Sequence, residues 1–482
     1  MSIRLNKYIL YHIMKAFSIN TLGCKVNQYE SQQIRELLER LGLSQVKPSE
    51  SVPELIVINT CCVTHTASAK SRQYIKKTQK LSPDAVIVVS GCLPTIQIGE
   101  LNTSSQKNIH FITQRDDLAA MLCQIVNSKV DVSNCQNPNS CRTTVIKTKN
   151  DSKIKCKNKL ANPPKLTSLT SFNGHTRAFL KIQDGCDGHC SYCIIPKVRP
   201  VVHSKPIQAV LKEAQGLVET GHKEIVLTGI FLGSYGKKSV NRKSWAGKQN
   251  DKLAELLEKV AEIPNLARIR LSSLEPADVT ERLLDVFCKH RNIMPHLHLS
   301  LQSGSDAILA KMRRQYRTAE FREKTALIRA KLDRPAITTD LIVGFPGETD
   351  DDFEQTVELA KETGFAKMHI FSFSAREGTT AAKMQHTVNN EVIKRRSKKL
   401  RDLNIEMEQR FRQQFVGEID TILTENSNGE ICGRSERYFI VKLEKLRKNP
   451  QRNELVKVKL VENTEDGMTG EIVEQEQEGV NG

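Results

Sequence analysis

The sequence lacks long apolar runs, a secretion signal and a balance between acidic and basic groups. No run approaches the roughly 18 uninterrupted apolar residues of a membrane span, so a transmembrane protein is excluded. The amino terminus has no small-residue cleavage site, and Arg4, Lys7 and Lys15 interrupt its apolar groups, which argues against a secretory signal. Only 55 Asp and Glu residues stand against 72 Lys and Arg, which leaves a net charge of +17. This excess indicates a polyanionic partner, most commonly nucleic acid.

The length and composition are those of a globular chain with several domains. At roughly 150 residues per domain, the 482 residues suggest about three domains. A hydrophobic fraction of 39% and a charged fraction of 26% exclude a mostly disordered chain. Residues 1–29 contain no Asp or Glu, a composition that resembles an organellar transit peptide. We instead favour the interpretation that Met14 is the initiator of a cytoplasmic protein.

The first third of the sequence alternates strand and helix patterns, which predicts a parallel sheet covered by helices. Three β-rich runs stand out: Ala16–Thr21, Leu55–Asn59 and Ala85–Ser90. Cys24, Cys61 and Cys92 follow these runs and can converge, because the carboxyl ends of parallel strands share one edge. Three thiolates can hold three irons of a 4Fe–4S cluster. The alternative is that these are three unrelated cysteines buried in the core. We interpret the adjacent Cys62 as such a packing residue.

A second cysteine group lies in the middle of the chain and is compact. Cys186, Cys190 and Cys193 follow a predicted strand at Ala178–Gln183 with the spacing C-x3-C-x2-C. Structural zinc takes four ligands, and the only nearby fourth candidate, His189, lies between two cysteines where its ring would point away. Three cysteines after a strand suit a 4Fe–4S cluster whose open iron binds S-adenosylmethionine.

The preceding stretch, Gln124–Phe172, interrupts the alternating pattern. It is rich in Lys, Asn, Ser and Thr, which indicates a linker or a loop that orders on binding. Cys135, Cys141 and Cys156 lie in it at no metal-binding spacing, and we interpret them as exposed free thiols.

Six strand patterns with intervening helices follow and predict a parallel, partial barrel rather than a complete one of eight units. Beyond Ala178, the strands are predicted at Ile225–Thr228, Arg268–Ser272, His296–Leu301, Thr338–Val343 and Met368–Ser372. Barrel enzymes place their chemistry at the carboxyl ends of the strands. The candidate cofactor contacts there are Gly229, Ser273, Glu275, Gln302 and Gly344. Taken singly, Glu275 or Gln302 could equally be a satisfied polar group in a turn.

The carboxyl-terminal part begins with a basic helix pattern at Glu391–Phe415 and continues with short alternating strands. Lys394 and Arg395 belong to this helix, whose basic side is either an RNA contact or a solvated face. Arg434, Arg437 and Tyr438 bring basic and aromatic groups to one hairpin, which suits phosphate contact and base stacking. A plain β-barrel with exposed charge is the alternative.

Taken together, the motifs resemble the methylthiotransferase branch of radical S-adenosylmethionine enzymes. The motifs that carry the resemblance, besides the cysteine spacing above, are Thr21–Glu30, Asn59–Cys61, Lys70–Gln73, Ser90–Cys92, Ile225–Gly229, Leu301–Ser305 and Asp340–Glu348. The form Leu-Gly-Cys-Lys-Val-Asn after Thr21 is similar to the enzymes that act on threonylcarbamoyladenosine in tRNA.

The resemblance implies an α/β fold with three domains and a linker. These are a Rossmann-like amino-terminal domain with an auxiliary cluster, a basic linker, a radical S-adenosylmethionine partial barrel and a small RNA-binding β-barrel of the TRAM type. The expected bounds are 14–123, 124–172, 173–413 and 414–476.

The resemblance also implies cofactors and a mechanism. Cys186, Cys190 and Cys193 would hold the cluster that cleaves S-adenosylmethionine, with Tyr192 near the adenine. The resulting radical would take hydrogen from carbon 2 of threonylcarbamoyladenosine, next to the tRNA anticodon. A second 4Fe–4S cluster on Cys24, Cys61 and Cys92 would present a methylated sulfur. The implied partners are tRNA and a flavodoxin- or ferredoxin-like electron donor, and we expect a monomer.

The chain departs from the family pattern after the second cysteine group. The family has an Arg-Ser-Arg sequence where this chain has His203, Ser204 and Lys205. His203 and Lys205 could still meet a phosphate or a carboxylate, but without the two-pronged contact that arginine makes. Three alternatives stay open: action on isopentenyladenosine in tRNA, action on a ribosomal protein, and a non-catalytic zinc- and RNA-binding protein.

Overall fold

The computed structural model describes residues 14–47, 49–96, 108–127, 165–244, 249–427, 430–444 and 450–473. They belong to two compact units that divide between Leu169 and Thr170. Residues 1–13, most of the predicted linker, and Cys135, Cys141 and Cys156 lie outside the described residues. Within the described ranges, no helix is both long enough and apolar enough to cross a membrane.

The first unit is a parallel sheet of five strands in the order β2-β1-β3-β4-β5. The strands are β1 (Ala16–Thr21), β2 (Ser44–Gln45), β3 (Leu55–Thr60), β4 (Val86–Gly91) and β5 (Ile109–Phe111). The helices are α1 (Lys25–Arg40), α2 (His65–Leu81) and α3 (Leu118–Asn127). Every residue of β3 is buried, as expected for a central strand with both faces covered. Phe17, Ile34, Leu38, Val57 and Leu122 join strands and helices in one core.

The helical pattern of the sequence predicts a helix over Ser31–Leu41, but α1 already begins at Lys25, and the reason is its polar interior. Its first two turns bury Asn27, Glu30 and Ser31 besides Val26 and Tyr29. An apolar periodicity cannot reveal a helix face that is buried through polar side chains. The three strands predicted before the cysteines are each observed within one residue of their predicted ends.

The second unit contains the predicted partial barrel of six parallel strands. Three-stranded sheets β10-β9-β6 and β11-β12-β13 meet through isolated bridges, including one between Leu274 and Leu299. The strands are β6 (Arg177–Lys181), β9 (Glu224–Thr228), β10 (Arg268–Leu271), β11 (His296–His298), β12 (Ala336–Val343) and β13 (Lys367–Ser372). A short antiparallel pair, β7 (Gln183–Asp184) and β8 (His203–Ser204), flanks the cysteine loop. The strands follow each other around the barrel in chain order, as repeated βα units require.

Helices connect the barrel strands and place their carboxyl ends at one edge. They are α4 (Ile195–Val198), α5 (Ile207–Glu219), α6 (Lys252–Ala261), α7 (Glu281–Lys289), α8 (Asp306–Lys311), α9 (Thr318–Lys331), α10 (Asp350–Thr363) and α11 (Asn390–Gln413). Thr349 caps α10 by accepting from the backbone of Asp352, whose side chain accepts in return from the backbone of Thr349. This reciprocal cap fixes the start of α10 after the Gly-Phe-Pro-Gly-Glu turn.

The chain ends in a closed barrel in the strand order β14-β15-β16-β18-β17. Its strands are β14 (Ile419–Ser427), β15 (Glu430–Arg434), β16 (Ile440–Leu443), β17 (Leu455–Asn463) and β18 (Met468–Ile472). Val441, Val458 and Leu460 form its core together with Phe411 and Phe415, which lie at the end of α11 and just beyond it. The predicted small carboxyl-terminal β-barrel is therefore confirmed.

Candidate active site

The three amino-terminal cysteines lie at one edge of the first sheet. Cys24 precedes α1 as its N-cap, while Cys61 and Cys92 directly follow β3 and β4. Because β1, β3 and β4 are adjacent and parallel, their carboxyl ends lie together. A Cβ atom placed on Gly23 would lie 3.1 Å from Cβ of Cys61, so the first two loops are in contact. Cys62 is fully buried and donates to the carbonyl of Cys92 at 3.3 Å, which joins the second loop to the third.

Two buried asparagines hold these loops in place, and the sequence analysis missed both. Asn27 Nδ2 donates to Asn59 Oδ1 at 3.1 Å and to the Thr60 carbonyl at 2.9 Å. Asn59 Nδ2 returns a bond to the Asn27 carbonyl at 2.9 Å. Cys24 Sγ donates to Asn27 Oδ1 at 3.2 Å, so the network reaches the first cysteine directly. It therefore fixes the positions of Cys24 and the end of β3 relative to each other.

Arg115 brings a positive charge to the same edge. Its Nη2 donates to Cys92 Sγ at 3.5 Å, and its Nη1 lies 3.5 Å from Glu30 Oε1. A guanidinium beside a sulfur favours the thiolate form that metal binding requires. These residues fit a cluster held by three cysteines.

The second cysteine group lies in one loop that the barrel holds at several points. The backbone N–H of Cys186 donates to the Arg199 carbonyl at 2.8 Å, and Ser191 donates to the carbonyls of Met312 and Lys311. Gly185 has φ +77°, and a Cβ atom there would lie 1.8 Å from the Val201 carbonyl oxygen. Only glycine fits this turn, which brings the chain into the first cysteine.

Burial keeps Cys186 and Cys193 protonated unless a bound cation compensates the charge of their thiolates. Burial raises the pKa of Cys186 to about 12 and that of Cys193 to about 11, and the neighbouring cysteines add to both shifts. Thiolates packed together are therefore unfavourable unless a cation compensates them. Gly188 N–H donates to Cys186 Sγ at 3.3 Å, and Arg314 Nη1 donates to Cys190 Sγ at 3.1 Å. Donors aimed at cysteine sulfurs are typical of iron–sulfur sites.

Beside the second group lies a buried charge network centred on Glu275. This carboxylate is bonded to both Arg242 and Arg314, and Arg242 Nη2 also lies 2.7 Å from Asp278. Burial alone would raise the pKa of Glu275, but the two guanidiniums hold that pKa below its ordinary value. Arg314 further donates to Tyr192 Oη at 3.4 Å. Glu275 was predicted as a cofactor contact; in the structure its contacts are Arg242 and Arg314.

The other predicted cofactor residues lie at the carboxyl ends of the strands as expected, but they differ in exposure. Ser273 is exposed, whereas Gln302 is buried at φ +69° and its N–H donates to the Asp340 carbonyl at 2.8 Å. Gly344 N–H donates to Glu348 at 2.8 Å. At Gly229 a Cβ atom would lie 3.0 Å from the Gln183 side chain. Their contact with S-adenosylmethionine stays a prediction.

Two departures from the family pattern have different surroundings. His203 is exposed, whereas Lys205 Nζ is bonded to the buried carboxylate of Glu213. Lys205 therefore meets a carboxylate of the fold itself, and its contact with a substrate phosphate stays a prediction.

The residues predicted to bind RNA fall into two classes. Lys394 and Arg395 are exposed on α11, with Lys394 Nζ 2.8 Å from Glu391 and Arg395 Nη2 3.9 Å from Asp350. The hairpin residues are instead held at the amino ends of the barrel strands. Arg437 donates to the carbonyls of Asp333 and Arg334, at 3.0 and 2.9 Å.

Tyr438 lies at the centre of this contact between the two barrels. Its ring stacks on His296 at 4.8 Å, and the guanidiniums of Arg177, Arg270 and Arg434 lie 4.5–5.1 Å from its centroid. A ring surrounded in this way is a structural element of the fold, and its stacking on an RNA base stays a prediction.

Buried arginines complete the contact. Arg270 donates to the carbonyls of Ser435 and Glu436 at 2.8 Å, and Arg268 donates to the Arg434 carbonyl at 2.9 Å. Arg270 Nε also bonds to Glu224 at 2.9 Å. The carboxyl-terminal barrel thus covers the amino ends of the partial barrel, opposite the cysteine loop.

Comparison with known proteins agrees with both halves of the site. Residues 180–360 match the Radical SAM superfamily, and residues 16–113 match an uncharacterized protein family, UPF0004. The chain is 36% identical to a threonylcarbamoyladenosine tRNA methylthiotransferase of Chlamydia pneumoniae over 95% of this chain and 98% of that one. Identity to a Bacillus subtilis (strain 168) protein of the same name is 33%, over 86% of each chain.

A solved structure supports the fold alone. The radical S-adenosylmethionine methyltransferase TsrM from Kitasatospora setae, with cobalamin and a [4Fe-4S] cluster bound, superimposes with a TM-score of 0.50. That match covers 75% of this chain and 72% of the other at 14% identity. With two cysteine groups at strand ends and relatives that span nearly its whole length, this chain belongs to the radical S-adenosylmethionine tRNA methylthiotransferase family.

Proposed function

We propose that this chain is a tRNA methylthiotransferase. It converts N6-threonylcarbamoyladenosine, on the 3′ side of the anticodon, to the 2-methylthio derivative by radical chemistry. The observation that carries this proposal is the presence of two cysteine triads, each at the carboxyl edge of a parallel sheet. One triad serves cleavage of S-adenosylmethionine, and the other serves delivery of sulfur.

Each triad would hold one 4Fe–4S cluster through three thiolates. Cys186, Cys190 and Cys193 form the set beside the barrel, and the first sheet supplies the other set. When bound, the barrel cluster supplies the electron that cleaves S-adenosylmethionine. The contribution of the protein is orientation, because radical chemistry requires the reacting atoms to be held close and away from water.

Around the barrel triad, named side chains perform that orientation. Arg314 is buried against Cys190 Sγ, Tyr192 Oη and Glu275, so it holds the loop and the strand end in one arrangement. Tyr192 packs against an apolar cluster that includes Phe345, which follows the carboxyl end of β12. We infer that the adenine of S-adenosylmethionine lies beside this ring.

The choice of nucleoside follows from the relatives and the first motif. Both relatives named above carry the threonylcarbamoyladenosine name, and the Leu-Gly-Cys-Lys-Val-Asn motif around Cys24 resembles that branch. Asn27 of this motif is the residue that bonds to Cys24 and to the end of β3. The motif therefore has a structural role at the sulfur-delivering edge.

The decisive experiment deletes the gene and compares the nucleosides of tRNA digests by mass spectrometry. The 2-methylthio form of threonylcarbamoyladenosine should disappear while its unmethylthiolated precursor stays. A plasmid copy should restore the product, and a copy with Cys190→Ala should not. Loss of the methylthiolated isopentenyl derivative instead would show that the branch assignment is wrong.

The competing reading as a zinc- and RNA-binding protein predicts different metal contents. The enzyme should contain about eight irons per chain after anaerobic purification, in two clusters, with matching acid-labile sulfide. One or two zinc ions without sulfide would contradict the enzyme.

The remaining partners belong to the same proposal. We infer that tRNA phosphate meets exposed basic groups such as Lys394 and Arg395, since the net charge is +17. A flavodoxin- or ferredoxin-like protein would supply electrons to a monomer in the cytoplasm. Substituting both residues with Gln should weaken tRNA binding and reduce its salt dependence, measured by titration at several salt concentrations.

A further inference from the structure

Three neighbouring strands of the partial barrel bring two imidazoles and a carboxylate together. His298, Asp340 and His369 belong to β11, β12 and β13, and one ligand atom from each lies within 4.8 Å of the other two. His298 Nε2 is 3.3 Å from Asp340 Oδ2, and the two imidazole centroids are 5.7 Å apart. Asp340 and His369 are paired in register, so strand geometry fixes the arrangement.

The environment of His298 prepares it to bind a cation. Its Nδ1 lies 2.9 Å from Thr338 Oγ1, while Nε2 is buried and has no hydrogen-bond partner within the described part of the chain. In the tautomer that donates from Nδ1 to Thr338, Nε2 carries the lone pair and lies beside the Asp340 carboxylate. A hydrogen bond from the ring nitrogen that does not bind the metal typically orients a histidine that ligates a metal through the other nitrogen.

The three residues share no member with the cysteine loop, although they lie near it, and one of them is open to the outside. Ile342 lies two residues beyond Asp340 on the same face of β12, and both Ile342 and Tyr192 of the cysteine loop pack against the same apolar cluster around Phe345. His369 is exposed on β13, which is the last strand of its sheet. A ligand could therefore reach the cluster from the open side of the partial barrel.

We propose that His298, Asp340 and His369 bind a divalent transition-metal cation. Two histidines and one carboxylate form a facial ligand set that leaves coordination positions for water or another oxygen ligand. A separation of 3.3 Å between two ligand atoms fits one ion with bonds of about 2.1 Å. The proposal rests on this geometry alone and does not depend on the proposed function.

A second group of three potential ligands in the barrel shows that residue types alone do not define a metal site. Glu258, Glu262 and His290 also offer three close ligand atoms. However, Glu258 is already paired with Arg282 and with Lys289, the latter at 2.8 Å. Its carboxylate is neutralised, so this group serves as a matched control.

The test uses the full chain with both clusters reconstituted anaerobically. The protein is dialysed against zinc ions, and zinc and iron are counted together by elemental analysis. We expect about one zinc per chain while iron stays at about eight. The His369→Ala variant should lose this zinc. Because His369 is exposed on an edge strand, we expect the variant to fold. The His290→Ala variant should keep the zinc.

A further variant tests the hydrogen bond between Thr338 and His298. Thr338→Val removes the bond to His298 Nδ1 and should weaken zinc binding about 10- to 100-fold, measured by competition with a chelator. The proposal is overturned if the parent protein binds no zinc, or if zinc appears only as iron is lost. It is equally overturned if His369→Ala and Thr338→Val bind zinc as tightly as the parent. None of these readouts involves tRNA modification. Failure of the metal-site proposal is therefore distinguishable from failure of the proposed function.

Discussion

The two cysteine triads are each brought together by the fold, but different interactions hold them in place. In the first unit, Cys24, Cys61 and Cys92 come from three loops separated by 37 and 31 residues, and a sheet edge with buried amides brings them together. In the second unit, Cys186 to Cys193 occupy a single eight-residue loop, and a charge network stabilises its surroundings. The first triad depends on the tertiary fold, whereas the second is local and depends on electrostatics.

The largest expected effects separate the two triads chemically. Cys190→Ala should abolish S-adenosylmethionine cleavage because it removes a ligand of the barrel cluster. Cys61→Ala should retain cleavage and lose sulfur insertion. The measurements are 5′-deoxyadenosine and methylthiolated product from the same reaction, with about four irons left in each variant.

A cysteine outside both triads provides the control for these two variants. Cys288→Ala changes an exposed thiol in the barrel and should retain cleavage and insertion. Equal loss of both activities in Cys61→Ala would show that the triads do not have separate roles.

The electrostatic character of the second triad predicts a sensitive Arg314. Arg314→Met removes the guanidinium on Cys190 and one of the two guanidiniums on Glu275. Breaking a buried pair costs about 3–5 kcal/mol of unfolding free energy, and we expect a loss at the lower end of this range because Arg242 still contacts Glu275. We also expect the reduction potential of the barrel cluster to fall, since it loses a donor to sulfur. Denaturant unfolding and a redox titration followed by electron paramagnetic resonance measure the two effects.

A compensating variant distinguishes the charge effect from packing. Arg314→Met combined with Glu275→Gln removes the carboxylate charge that Arg242 alone compensates in the single variant, and it should recover part of the stability. The potential should stay shifted, because the donor to Cys190 is still missing. A single variant with unchanged stability and potential would refute the role of the network.

The tertiary character of the first triad predicts a smaller effect from its amides. Asn59→Ala leaves the Asn27 amide with a buried unsatisfied group, which costs about 1–3 kcal/mol. Sulfur insertion should fall while S-adenosylmethionine cleavage is unchanged. Asn108→Ala is the control, because that side chain makes an exposed bond to the Pro83 carbonyl. Equal losses in the two variants would argue against a special role for Asn59.

The sequence predicted the positions of both triads well, because strand ends followed by cysteine are local patterns. It could not reveal Arg314 or Asn27, whose importance arises from contacts with Glu275 and Asn59 far along the chain. Tyr438 shows a limit of another kind. A basic and aromatic hairpin has the same composition whether it faces RNA or, as here, a neighbouring barrel.

The buried arginines between the two barrels have a practical consequence for anyone who shortens this protein. Arg268 and Arg270 satisfy backbone carbonyls of the last domain, and Arg270 shares Glu224 with its own sheet. A truncated chain that ends before Ile419 would expose these charges and the apolar side of Phe411 and Phe415 to solvent. Such a fragment should aggregate, so the contribution of the last domain to tRNA recognition is better measured with surface point variants than by deletion.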